Sequence, residues 1–123
     1  MTLIEAINRI DSLKPNTYSP LEKVEWLSML DGVIKKNIID THEGGEEVEY
    51  SGYTDDTPLN TELIVKSPYD EIYIIWLESK IDYSNSEYVK YNNSITRYND
   101  IFNDFRNNYN REHMPKGSAI KYF

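Results

Sequence analysis

Residues 88–109 read YVKYNNSITRYNDIFNDFRNNY, and this stretch decides the fold class. Tyr88, Tyr91, Ile95, Tyr98, Phe102, Phe105 and Tyr109 recur at alternating steps of three and four without a miss. That is the seam of an amphipathic α-helix, here built mostly of rings. A helix over residues 86–110 would be about 37 Å long at 1.5 Å per residue.

Working outward, the same helix-opening signature appears four times, a Ser or Thr followed three residues later by an acid. The instances are Thr2 with Glu5, Ser19 with Glu22, Ser67 with Asp70, and Ser84 with Glu87. In each, the hydroxyl can cap a free N–H while the acid reaches back to the cap residue. Pro20 and Pro68 would fill first helical positions, where the missing N–H costs nothing. The periodicity predicts a first helix over 3–13, with Leu3, Ile7 and Ile10 on one face and Pro15 beyond it. A second helix is expected over 20–40, with Val24, Leu27, Leu30, Ile34 and Ile38 as its stripe. Trp26, Met29 and Val33 widen that face and predict neighbours on two sides. Gly32 is a weak point there, costing about 1 kcal/mol relative to Ala. Residues 68–83 contain Ile72-Tyr-Ile-Ile-Trp-Leu77, apolar all round, which also suits a buried strand. Asp70 and Glu71 in the first turn favour a helix, and a helix apolar all round belongs at the centre.

The expected fold is therefore mainly α: a four-helix bundle-like domain over 1–110, with a loop at 41–66 inserted between the second and third helices and a C-terminal tail at 111–123. The loop holds Gly44-Gly45, Gly52 and seven acids with no base between Glu43 and Glu62. Glu47-Val-Glu-Tyr50 alternates and Leu63-Ile-Val65 is β-branched, so a projecting loop with a short β-hairpin is expected. The tail carries three bases against one acid and closes on Tyr122 and Phe123.

The 123 residues fit one domain with a real core. No apolar run approaches the roughly 18 residues of a membrane span. Two acids in the first eleven residues argue against a signal peptide. With no cysteine, disulfide scaffolds, thiolate zinc sites and cysteine nucleophiles are excluded, and the redox compartment stays open. A formal net charge of -8 disfavours gripping nucleic-acid phosphates. The seam could stack bases only beside a basic groove, yet Lys90, Arg97 and Arg106 are balanced by Glu87, Asp100 and Asp104.

Catalytic fingerprints are missing. There is no G-x-S-x-G elbow, no G-x-G-x-x-G and no Walker lysine loop, so the chain reads as not an enzyme, with no cofactor. His42 and His113 each lack a second ligand at helical spacing and read as two separate surface histidines rather than a zinc pair. Glu43, Glu46, Glu47, Glu49, Asp55 and Asp56 lack the D-x-D-x-D-G spacing of a calcium loop and read as a solvated charge run. The candidate contact residues are in the tail, at Arg111, His113, Met114, Pro115, Lys116, Tyr122 and Phe123. A loop interface is expected at Glu46, Glu47, Glu49, Tyr50 and Tyr53. A tail and a protruding loop can both reach neighbouring copies.

Several segments resemble the head–tail connector, or adaptor, proteins of tailed phages and prophages of Gram-positive bacteria. They are Thr41-His-Glu-Gly44, Asp56-Thr-Pro-Leu-Asn-Thr-Glu-Leu-Ile-Val65, Ser67-Pro-Tyr-Asp-Glu-Ile-Tyr73, Lys80-Ile-Asp-Tyr83, Glu87-Tyr88, Tyr91-Asn-Asn93 and Tyr109-Asn-Arg-Glu-His-Met-Pro-Lys116. The resemblance implies a helical virion protein, made in the host cytoplasm, that forms a ring of commonly twelve copies beneath the portal. Such a ring extends the DNA channel and offers an attachment surface to the next connector, stopper or tail protein. DNA passes through without being specifically bound, and no membrane is involved. The resemblance also implies that a segment equivalent to Arg111–Phe123 engages the portal. The competing expectation is an acidic phage inhibitor that mimics DNA on a basic host surface.

Overall fold

A computed structural model describes residues 1–117. Tyr122 and Phe123, two of the expected contact residues, lie outside the described residues. The fold is mainly helical: α1 (Leu3–Leu13), α2 (Pro20–Asn37), α3 (Glu71–Ser84) and α4 (Tyr88–Glu112). Tight 3-10 turns at Ile39–Thr41 and Gly45–Glu47 open the long connection between α2 and α3.

Of the four helix openings, Thr2 with Glu5 forms both reciprocal bonds and Ser19 with Glu22 forms the hydroxyl half. Thr2 Oγ1 accepts from the Glu5 N–H at 3.2 Å, and Glu5 Oε1 accepts from the Thr2 N–H at 3.1 Å. Ser19 Oγ accepts from the Glu22 N–H at 3.1 Å, with Pro20 first in α2. The other two do not form. Ser67 precedes a cis bond to Pro68, and the chain turns there, with the Tyr69 N–H on the Lys66 carbonyl, before α3 starts at Glu71. Ser84 is absorbed into the last turn of α3. The chain then reverses through Ser86 (φ 59°), with the Glu87 N–H on the Asp82 carbonyl.

The central position of α3 is as expected. Ile72, Tyr73, Ile74, Leu77 and Ile81 are buried, and the helix packs on α1, α2 and α4. The α1 face (Leu3, Ala6, Ile7, Ile10) and the α2 stripe (Val24, Leu27, Leu30, Ile34) complete the core around it. The second flank of α2 departs from expectation, because Met29 and Val33 are exposed. Trp26, on the same flank, is half-buried, with the Trp76 indole N–H of α3 on its carbonyl, and the long connection brings the Tyr50 ring near Gly32. The α4 seam is also less enclosed than a coiled-coil seam. Phe105 is buried, Tyr91, Ile95, Tyr98, Phe102 and Tyr109 are half-buried, and Tyr88 is exposed. The reason is geometric: among the described residues α4 packs chiefly along α3.

No hairpin forms among the described residues of the connection. Glu62 makes an antiparallel bridge with Thr2 instead. The carbonyls of Leu59 and Thr61 accept from Ile4 and Leu3 at 2.9 and 3.0 Å, satisfying two N–H groups that an α-helix start leaves free. Residues 59–63 therefore pair with the start of α1, whereas the N–H groups of Ile64 and Val65 go to the Asp31 and Tyr73 side chains. Nor does the connection simply project, because His42, Gly45, Tyr53, Leu63 and Val65 are all buried.

Candidate functional site

Asp31 carries the first polar cluster. It sits in the apolar stripe of α2, three residues before Ile34 and four after Leu27, and is fully buried. Its Oδ1 accepts from the Tyr73 hydroxyl at 2.6 Å. Its Oδ2 accepts from the Tyr53 hydroxyl at 2.6 Å and from the Ile64 N–H at 3.1 Å. The Tyr73 oxygen in turn accepts from the Val65 N–H at 2.7 Å. Burial raises the Asp31 carboxyl above the ordinary range, against the opposing pull of the tyrosine and Ile64 hydrogen bonds. Burial and the neighbouring carboxylate also push both phenols up, so they stay donors. Beside this cluster, Tyr50 donates to the Ser28 carbonyl at 2.5 Å and stacks edge-on against Tyr53 at 5.1 Å. Tyr50 and Tyr53, both expected at an outer interface, are thus used to fasten the connection to α2.

The second cluster joins the connection to the end of α4. The Ile38 carbonyl, left free where α2 ends, accepts from Thr41 Oγ1 at 2.8 Å and from His42 Nδ1 at 2.6 Å. His42 Nε2 pairs with the Asn110 side-chain amide at 2.8 Å, and the ring stands edge-on to Tyr109 at 4.9 Å. On Tyr109's other side His113 stacks nearly parallel, at 3.8 Å and 11°. His42 is therefore buried, not at the surface, and both histidines flank one tyrosine. Among the described residues no group of His and acidic side chains is arranged to hold a metal ion.

The backbone after α4 continues this contact as an antiparallel pair. The Glu43 N–H donates to the Met114 carbonyl at 2.8 Å, His42 bridges Pro115, and the Lys116 N–H donates to the Thr41 carbonyl at 3.0 Å. Lys116 Nζ lies 3.8 Å from Glu46 Oε2. The glycine pair makes the turn possible. Gly44 has φ 82°, and a Cβ on Gly45 would stand 2.3 Å from the Ile39 carbonyl oxygen.

Between the connection and the last turns of α4 lies an open cleft of about 760 Å³. Ile39, Leu63, Ile64 and Phe105 give it an apolar floor, while Glu49, Glu62 and Glu112 supply carboxylates and Lys66 one cation. His113 and Tyr109 form one wall, so one expected tail residue and one expected loop residue, His113 and Glu49, meet at the same cleft. Arg111, Met114, Pro115 and Lys116 are exposed beside it, as are Glu46 and Glu47. Asp31 is not among the residues expected at a site, although an acid at a stripe position is a signal for it; Asn110 is carried only within the Tyr109–Lys116 segment, as one asparagine among many in α4.

No helix among the described residues is long and apolar enough to cross a membrane. No protein family, no curated protein and no solved structure matches the chain.

Proposed function

We propose that this chain is a structural protein of tailed-phage virions, a head–tail connector. It assembles as a ring beneath the portal, extends the DNA channel and presents a surface to the next connector, stopper or tail protein. The observation that carries this reading is the meeting of two segments that bear the family resemblance. Thr41–Gly44 and Tyr109–Lys116, far apart in the chain, form one built unit through the Glu43–Met114, His42–Asn110 and Lys116–Thr41 hydrogen bonds. The unit fixes the root of the tail and leaves Arg111, Met114 and Lys116 exposed for a portal or a neighbouring copy.

The role is structural and not catalytic. A net charge of -8 suits a part that DNA must pass without sticking, since like charge weakens phosphate contacts. With Tyr50 and Tyr53 turned inward, the loop's share of any ring contact narrows to exposed Glu46, Glu47 and Glu49.

Quantitative mass spectrometry of purified particles, counting this chain against the major capsid protein, tests the reading. About a dozen copies per particle, retained through a high-salt wash, is the expected result for a ring at one vertex. Hundreds of copies would indicate a shell or tail-tube part. Absence from particles, with abundance in infected cells, would overturn the reading in favour of an acidic inhibitor.

A further inference from the structure

The two buried polar clusters stand behind the two sides of the 760 Å³ cleft. On the side of the connection, the Ile64 N–H is fixed to Asp31 Oδ2 at 3.1 Å. There too the Tyr69 N–H closes a turn on the Lys66 carbonyl, and the Tyr69 ring meets Phe105 edge-on at 6.2 Å. On the α4 side, Tyr109 is clasped between His42 and His113. Val48, Ile64, Tyr69 and Tyr109 each pack partly on the core and line the cleft with what remains. The apolar floor is therefore built before anything binds, which spares a partner the cost of ordering it. The volume falls within the roughly 300–1,000 Å³ of sites that receive a ligand or a few side chains. Because the cleft is open to solvent, it suits a chain segment laid across it better than an enclosed cofactor.

The charges around the floor are unevenly used. Glu62 already pairs with the Met1 amino group at 3.2 Å and with Lys66 at 3.5 Å, which also engages the one lysine of the lining. Glu49, from the connection, and Glu112, from the end of α4, are exposed at the same cleft. Neither has an ion-pair partner among the described residues. The C-terminal end of α4, where helix carbonyls carry partial negative charge, lies beside them. We propose that this cleft docks a short segment of a partner protein in which a lysine or arginine lies next to bulky apolar side chains. The apolar side chains cover Ile64 and Tyr69, and Glu49 and Glu112 meet the base. The proposal concerns one face of this chain and stands apart from the connector reading, which the copy count tests.

The test presents the full chain to a displayed library of random short peptides. The expected result is enrichment of peptides with Lys or Arg adjacent to Ile, Leu, Phe or Tyr. The best of them, synthesised, should shift the amide resonances of Ile64, Tyr109 and His113. Glu49→Gln with Glu112→Gln, at two exposed positions, should leave the melting temperature unchanged and weaken that peptide about tenfold. Glu49→Lys with Glu112→Lys should turn the selection toward peptides that carry an acid in place of the base. Enrichment without a basic residue, binding that the Gln variants leave unchanged, or shifts away from the cleft would overturn the proposal. So would self-association of the chain that the Gln variants abolish, which would assign the cleft to a second copy. No enrichment by the full chain, with enrichment once Tyr122 and Phe123 are changed to Ala, would assign it to the chain's own end. No enrichment by either would leave the cleft without a peptide partner and overturn the proposal as well.

Discussion

The Tyr73 hydroxyl of α3 donates to the Asp31 carboxylate of α2 across 2.6 Å, in the interior of the bundle. The same hydroxyl oxygen takes the Val65 N–H, and the same carboxylate takes Tyr53 and the Ile64 N–H. Two helices and the long connection therefore share one acid. A buried carboxylate is tolerated only where its oxygens are satisfied, and here three donors converge on it.

Replacing Asp31 with Ala leaves two phenols and an amide without their acceptor. Each unsatisfied buried donor costs about 1–3 kcal/mol, so for three donors a total loss of at least about 3 kcal/mol is expected. Urea unfolding measures it, and amide exchange at Ile64 and Val65 should accelerate with it. A loss below about 0.5 kcal/mol, the range of ordinary surface changes, would mean that the cluster does not fasten the connection.

The same acid sets a pH dependence. Its pKa in the folded chain lies above the unfolded value of about 3.9, so the folded state holds the proton more tightly. This contribution is fully present below the unfolded value and is lost as pH rises through the folded one. The unfolding free energy of the native chain minus that of Asp31→Asn should therefore fall as pH rises above about 4. A difference independent of pH would contradict the assignment.

Phe105 and Phe102 separate the enclosed part of the α4 seam from its open part. Phe105→Ala should cost about 3–5 kcal/mol, the range for a buried ring. Phe102, half-buried with Arg106 over its ring, should cost clearly less. Chemical denaturation of both variants checks the order. Equal costs would mean that the seam is enclosed along its length.

The glycines of α2 and of the turn after it should respond oppositely to alanine. At Gly32 a Cβ would meet only the Tyr50 side chain, its hydroxyl at 3.7 Å and ring at 3.8 Å, both ordinary contacts, so Gly32→Ala should stabilise by up to about 1 kcal/mol. At Gly45 the Cβ would collide with the Ile39 carbonyl, so Gly45→Ala should destabilise the chain. Melting temperatures moving in the same direction for both variants would refute this account.

Four helices, the stripe of α2 and the central place of α3 were legible because their signals are local. Periodicity and capping act over three or four residues, and Thr2 and Ser19 show the caps formed. Ser67 and Ser84 carry the same signature and do not cap. At those points the Lys66–Tyr69 turn and the reversal through Ser86 determine the backbone. The local pattern allowed a cap there, and longer-range connections overrode it.

The candidate site was legible only in outline. Its residues were named as two separate groups, a tail and a loop, and His113 and Glu49 do reach one cleft. Tyr50 and Tyr53 were expected outside and His42 at the surface. Their partners, Ser28, Asp31 and Asn110, lie 22 to 68 residues away. By itself the sequence determined the helical class, because each apolar stripe is written within its own helix. The course of the connection was decided only in the tertiary structure. A polar group can be buried only where distant donors and acceptors converge on it, and such pairings leave no periodic trace along the chain.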